Sequence, residues 1–149
     1  MVRTTISLAQ LYEADYAQWL DEMIILLKQG DLSQLDQVHL LEELEALGRS
    51  ERHAIASLTI QIMVHLLLYQ YWEVERGCNA NHWQVEILTF RTQLNLKLTK
   101  NLSNYLGQNL DSLYQKAHKI ASLKAQITLP QQNLFTLAQV CDEDWLPEI

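Results

Sequence analysis

The densest run of ionisable side chains in the sequence is Glu42-Glu43-Leu44-Glu45-Ala46-Leu47-Gly48-Arg49-Ser50-Glu51-Arg52-His53. Carboxylates beside arginines can do two kinds of work. Gathered in an interior cleft with an imidazole such as His65, the residues Glu42, Glu43 and Arg49 would make an acid–base site. Spread along the outside of a helix, Glu42, Glu45, Arg49 and Arg52 line one side at three- and four-residue steps, where opposed charges could clamp a neighbouring chain. Glu45 and Arg49, four apart, would also support the helix itself, and Gly48 between them would admit the close approach of another backbone. The candidate interaction surface is therefore Glu42, Glu45, Arg49, Arg52 and His53. No catalytic, cofactor-binding or metal-ligating residue is assigned.

Metal chemistry has little to stand on. A di-iron carboxylate bundle needs Glu-x-x-His on two helices. The residues three before the five histidines are Asp36, Ser50, Ile62, Asn79 and Gln115, so only Asp36-x-x-His39 is chemically close. No two histidines are four apart, which removes the zinc-helix arrangement. His39, His65 and His118 could meet on a metal from separate helices, but nothing in their spacing selects that. Cys78 and His82 are four apart, yet Cys141 is the only further cysteine, and the pair reads as a solvent-side turn. His65 lies in the most apolar stretch and reads as a neutral core histidine. A Gly-x-Ser-x-Gly elbow is missing, and four scattered glycines cannot build a phosphate loop.

These residues need a scaffold, and the composition describes one. With 149 residues, 48% of them hydrophobic and 19% charged, the chain fits one domain that buries roughly 70% of its unfolded surface without staples. Two cysteines cannot form a disulfide framework, and no charged-then-apolar leader opens the sequence, so a reducing cytoplasm is expected. The longest apolar stretch, Ile60 to Trp72, is broken by Gln61, His65 and Gln70 and is shorter than the roughly 18 residues of a membrane span. A soluble protein without a membrane partner is expected.

Net charge is −7, which argues against nucleic acid as the main partner, because phosphate binding depends on clustered Lys and Arg. The charge is unevenly distributed. Residues 11–48 hold nine acids against Lys28 alone. Residues 91–124 reverse this, with Arg91, Lys97, Lys100, Lys116, Lys119 and Lys124 against Asp111. Such a division suits helices that pack side by side, head-to-tail association, or an acidic partner on the 91–124 face.

Both prolines lie near the C-terminus and strand signals are missing, so helices are the economical choice. The four glycines, Gly30, Gly48, Gly77 and Gly107, are candidate punctuation. A first helix is expected over Leu11–Gln29, with Tyr12, Tyr16, Trp19, Met23 and Leu26 as its stripe, widened by Leu20, Ile24 and Leu27. Asp36 is a plausible N-cap for a second helix that returns antiparallel to the first. Leu40, Leu41, Leu44 and Leu47 mark its buried side, resumed by Ile55, Leu58 and Ile62. Continuity through Gly48 to about residue 72 is favoured, since a lone glycine costs only about 1 kcal/mol in a helix. A turn over 73–81 then leads to a third helix at about His82–Lys100, a fourth at about Asn109–Ala125, and a short segment at Leu134–Val140. The expected fold is an all-α antiparallel bundle of about four main helices in a single domain, 1–149, with residues 1–8 flexible and an acidic C-terminal segment at 134–149.

Several short motifs, Tyr12-x-x-Asp15-x-x-x-Trp19, Leu35-Asp36, Glu42-Glu43-Leu44-Glu45-x-Leu47-Gly48-Arg49-Ser50-Glu51-Arg52, His65-Leu66-Leu67, Trp83-x-x-Glu86-Ile87-x-x-x-Arg91, Tyr114-x-x-Ala117 and Asp144-Trp145-Leu146-Pro147, run along nearly the whole chain. In these the sequence resembles the bacterial, largely cyanobacterial, domain-of-unknown-function family 29. It departs from that pattern at Leu68, where a Lys usually follows His-Leu-Leu, and around Asn101-Leu102, where a Pro is usual. It has Asn133-Leu134-Phe135 in place of a Cys-Pro-Tyr element. The resemblance implies a compact helical fold and no established activity. The functional expectation is a non-catalytic helical protein-interaction domain that self-associates, in an adaptor- or antitoxin-like role, with a protein partner or a second copy held by the Glu42–His53 surface or the 91–124 face. The alternatives are an enzyme built on Glu42, Glu43, Arg49 and His65, and an RNA or acidic-polymer binder using the 91–124 lysines.

Overall fold

The computed structural model describes residues 6–149 and is all-α, with six helices among the described residues. Contacts divide the chain into two compact units, residues 1–50 and 51–149.

In the first unit, the helix expected over Leu11–Gln29 is two helices, α1 (Leu8–Ala14) and α2 (Tyr16–Gln29). Ser7 and Gln10 open α1 with a reciprocal capping box. Asp15 makes the break between the helices. Its N–H closes α1 on the Leu11 carbonyl, while its carboxylate caps α2 by accepting from the Gln18 N–H. Gly30 ends α2 in the left-handed region at φ 71°, as its position implied. A 3-10 turn, Leu32–Gln34, then leads to Asp36 and α3 (Gln37–Tyr71). Leu11, Trp19 and Met23 form the buried centre, with Leu8, Tyr12, Leu26, Leu35 and Leu40 packed around it.

α3 is 35 residues without interruption, about 50 Å at 1.5 Å per residue. Gly48 therefore lies inside a helix, as favoured. Gly77 and Gly107 do so as well, against their reading as punctuation: α4 spans Glu73–Lys97 and α5 spans Lys100–Ala125. The tertiary packing of long amphipathic helices outweighs the small propensity penalty of one glycine.

Within the second unit, the turn between α3 and α4 is the single residue Trp72, where a longer turn over 73–81 was expected. The side chain of Arg76 makes the tight turn tolerable. Its Nε and Nη2 donate to the Tyr69 and Gln70 carbonyls at 2.8 and 2.6 Å, satisfying acceptors that the end of α3 leaves open. Trp72 stacks on Trp83 and His65 lies against Phe90, a pairing order that makes α3 and α4 antiparallel. Thr99 caps α5, and Gln126 ends it at φ 55°. Every residue from Ile62 to Tyr69 is buried, which explains why apolar residues occupied all faces of that stretch. Among the described residues one helix, α3, is long and apolar enough by length and composition to cross a membrane, which the broken Ile60–Trp72 run alone is not. However, 56% of its most apolar 18-residue stretch is buried inside the fold, as in a core helix.

The chain closes with α6 (Leu137–Cys141), opened by a Thr136–Gln139 capping box. Arg91, counted in the basic face, is not on the surface at all. It is 1% exposed, and its guanidinium donates to the Val140, Trp145 and Gln139 carbonyls at 2.8, 2.7 and 2.8 Å. Asn95 adds a bond to the Cys141 carbonyl. Burial lowers the Arg91 pKa from its ordinary value, while Asp142, Cys141 and Glu143 oppose that shift. The Trp83–Arg91 and Asp144–Pro147 motifs are thus the two halves of one clasp.

Candidate functional site

The first unit contains a network of aromatic and acidic side chains that fixes α1 and α2 on the start of α3. Glu43 accepts from the Tyr12 hydroxyl at 2.6 Å and the Tyr16 hydroxyl at 2.7 Å. Asp36 accepts from the Trp19 indole at 3.1 Å, and its carboxylate lies 2.6 Å from His39 Nδ1. Tyr12 stacks on His39 with ring centroids 4.0 Å apart. The hydrogen bond to Glu43, followed by burial, pushes the Tyr12 phenol up to about 12 and raises Tyr16 in the same direction. The two phenols lower Glu43 in return. Burial would raise Asp36, but the bonds from His39 and Trp19 outweigh it and hold the carboxyl below its ordinary value. As Tyr16 pairs with Glu43 and Trp19 with Asp36, α2 and α3 run antiparallel, as the short linker implied.

Of the candidate acid–base residues, Glu42, Glu43 and Arg49 belong to the first unit and His65 to the second. Glu43 is held by the two tyrosines, while Glu42 and Arg49 are exposed and have no bond to it. His65 belongs to the second unit, where its Nδ1 donates to the Gln61 carbonyl at 2.7 Å. Burial lowers its pKa, against that bond, which favours the neutral core imidazole expected. His118 lies 3.1 Å from the Leu129 carbonyl and His39 is engaged by Asp36, so the three histidines have separate local partners. Cys78 and His82 are exposed on α4.

The predicted surface residues Glu42, Glu45, Arg49 and His53 are exposed, and Arg52 is half-buried. Glu45 and Arg49 approach to 3.9 Å, and this is the only ion pair among the four stripe residues. The surface beside them was not foreseen. Leu41, Leu44 and Leu47, expected on the buried side of the second helix, are instead exposed, and so are Leu20, Ile24 and Leu27 of α2.

These exposures are geometrically ordered. On α2 the covered residues Trp19, Met23 and Leu26 are each followed by an open one, Leu20, Ile24 and Leu27; on α3 the covered Leu40 and Glu43 are followed by Leu41 and Leu44. One residue is about 100° around a helix. In two antiparallel helices whose covered faces meet, the same rotational step turns both open stripes to the same side. Tyr16, Leu20, Ile24 and Leu27 thus join Leu41 and Leu44 in one apolar face, each side chain between 36% and 58% exposed, whereas Leu47, four residues after Glu43 and 62% exposed, continues the Glu43 stripe. A further step around α3 from Leu41 and Leu44 gives the exposed Glu42 and Glu45.

Searches of curated proteins and of solved structures return no match. The family model described as Domain of unknown function DUF29 matches residues 11–146, covering both units and nearly every element described above. The chain belongs to that family.

Proposed function

We propose that this chain is a non-catalytic helical protein-interaction domain that self-associates through the α2–α3 face, in an adaptor-like role. The observation that carries this reading is the open apolar face itself, one half of a helix-packing interface. Covering a half-exposed leucine contributes about 1 kcal/mol, so a symmetric contact that covers these six side chains on each copy has enough apolar area for micromolar or tighter association. The ionisable groups of the same unit support a scaffolding purpose, because Glu43 and Asp36 are engaged by the residues that hold the hairpin together.

Leu44→Asp and Ile24→Asp test the reading. Both residues are exposed, so helix content and unfolding midpoint should stay close to wild type. The dimer dissociation constant should rise at least about 30-fold, because two carboxylates enter each apolar contact. If both variants self-associate as wild type does, the face is not the interface.

A further inference from the structure

Beside the Arg91 clasp the second unit keeps an open channel of about 460 Å³, lined by Val85 and Leu88 of α4 and by Glu143, Asp144 and Leu146 of the closing segment. The channel has a sign. From Gln126 to Ile149 the chain carries Asp142, Glu143, Asp144 and Glu148 and no Lys or Arg. Arg91 borders the channel too, but it is buried and its guanidinium is spent on three main-chain carbonyls. Asp142, Glu143 and Asp144 against that one cation leave this corner two charges negative. Neither Glu143 nor Asp144 has an ion-pair partner among the described residues.

An apolar stripe runs on past the channel. Asn81, Val85, Leu88, Thr92 and Leu96 recur at steps of four, three, four and four on the uninterrupted α4, which puts them on one side of it. All five are exposed, Val85 by 61% and Leu96 by 83%. At 1.5 Å per residue the stripe is about 22 Å long. Thr92 Oγ1 lies 3.2 Å from the Glu143 carboxylate, so the acids border the stripe along its length and not only at its end. One residue on from each member come His82, Glu86, Thr89, Gln93 and Lys97, where the fixed charges cancel. A small organic cation would meet the carboxylates and leave the stripe bare, whereas a helix with a basic edge meets both.

We propose that an amphipathic helix of a protein partner lies along α4 in this channel, its aliphatic side chains on Val85, Leu88 and Leu96 and its lysines or arginines on Glu143 and Asp144. No residue of the channel belongs to the α2–α3 face, so each copy in a self-associated adaptor would carry its own site.

Random peptides of about 16 residues, the span of Asn81–Leu96, displayed on phage and selected on the full-length protein supply the probe. The recovered peptides should be rich in Lys or Arg, with Leu or Ile at three- and four-residue spacing. The strongest, synthesised with a fluorophore, should bind the Glu143→Lys, Asp144→Lys double variant at least about tenfold more weakly at low salt, and Val85→Asp likewise. Leu44→Asp, on the α2–α3 face, should bind it as wild type does. In about 1 M salt the first difference should shrink. Hydrogen exchange over 137–147 checks that the clasp is intact, and Glu143→Gln with Asp144→Asn repeats the test should the lysines loosen it. A selection that returns acidic or neutral peptides, or none, overturns the proposal, as does a basic peptide whose affinity ignores these variants. Wild-type assemblies larger than two chains that Val85→Asp dissolves would give the channel to a second copy and overturn it as well. A chain that stays monomeric yet binds the peptide in this manner refutes the self-association reading and supports this one.

Discussion

Replacing Arg91 by methionine keeps most of the apolar stem in place and removes three donors from the carbonyls of Gln139, Val140 and Trp145. Hydrogen bonds from a charged donor contribute about 1.5–3 kcal/mol each, and leaving a buried acceptor unsatisfied costs about 1–3 kcal/mol. The desolvation of the guanidinium, visible in its lowered pKa, offsets part of that gain, and contributions within one network do not add. The net loss should therefore be about 3–5 kcal/mol, concentrated in the closing segment from α6 to Leu146. Hydrogen exchange read by mass spectrometry should show protection lost first in peptides over 137–147, with urea unfolding of the second unit shifted to lower concentration. Arg91→Lys should recover part of the loss, because an ammonium cannot reach three separate carbonyls in fork geometry. If Arg91→Met costs under about 1 kcal/mol and the 137–147 amides stay protected, the clasp is not what holds that segment.

The first unit should weaken in acid. Asp36 and Glu43 are both depressed in the folded state, so their stabilisation is present above the ordinary values of 3.8 and 4.5 and is lost as pH falls through the folded pKa values; unfolding followed from pH 6 downward checks this. The opposite holds for Tyr12, whose folded pKa is raised from 10.0 to about 12. Its contribution is intact below 10.0 and lost as pH rises through about 12, which tyrosinate absorbance in wild type and Tyr12→Phe should reveal. His65 should titrate below 6.5 by imidazole NMR, with its stabilising share lost as pH falls through that lowered value.

Helix class and the continuity of α3 were legible because leucine spacing and the lack of prolines left little else. The Asp15 break was hidden by an apolar stripe that continues in phase across it, although an Asp followed three residues later by Gln18 is the cap that makes the break. The role of Arg91 was masked by adding its charge to the lysines around it. The missed signal was positional, since Arg91 follows Trp83 and Ile87 at four-residue steps and precedes Leu94 by three, on the buried stripe. Leu41, Leu44 and Leu47 carry the same apolar pattern whether the chain's own helices or another copy covers them. Periodicity gives the greasy side of a helix without naming what lies against it. The stripe of Glu42, Glu45, Arg49 and Arg52 was visible as a pattern, but the openness of Leu41 and Leu44 was not.

In the proposed assembly the open α2–α3 face is covered by another copy of the chain. Sedimentation equilibrium of the wild-type protein from about 1 to 100 µM tests it most directly. The expected result is a concentration-dependent rise from the mass of one chain to that of two, with no larger species. A single-chain mass across the whole range would contradict it.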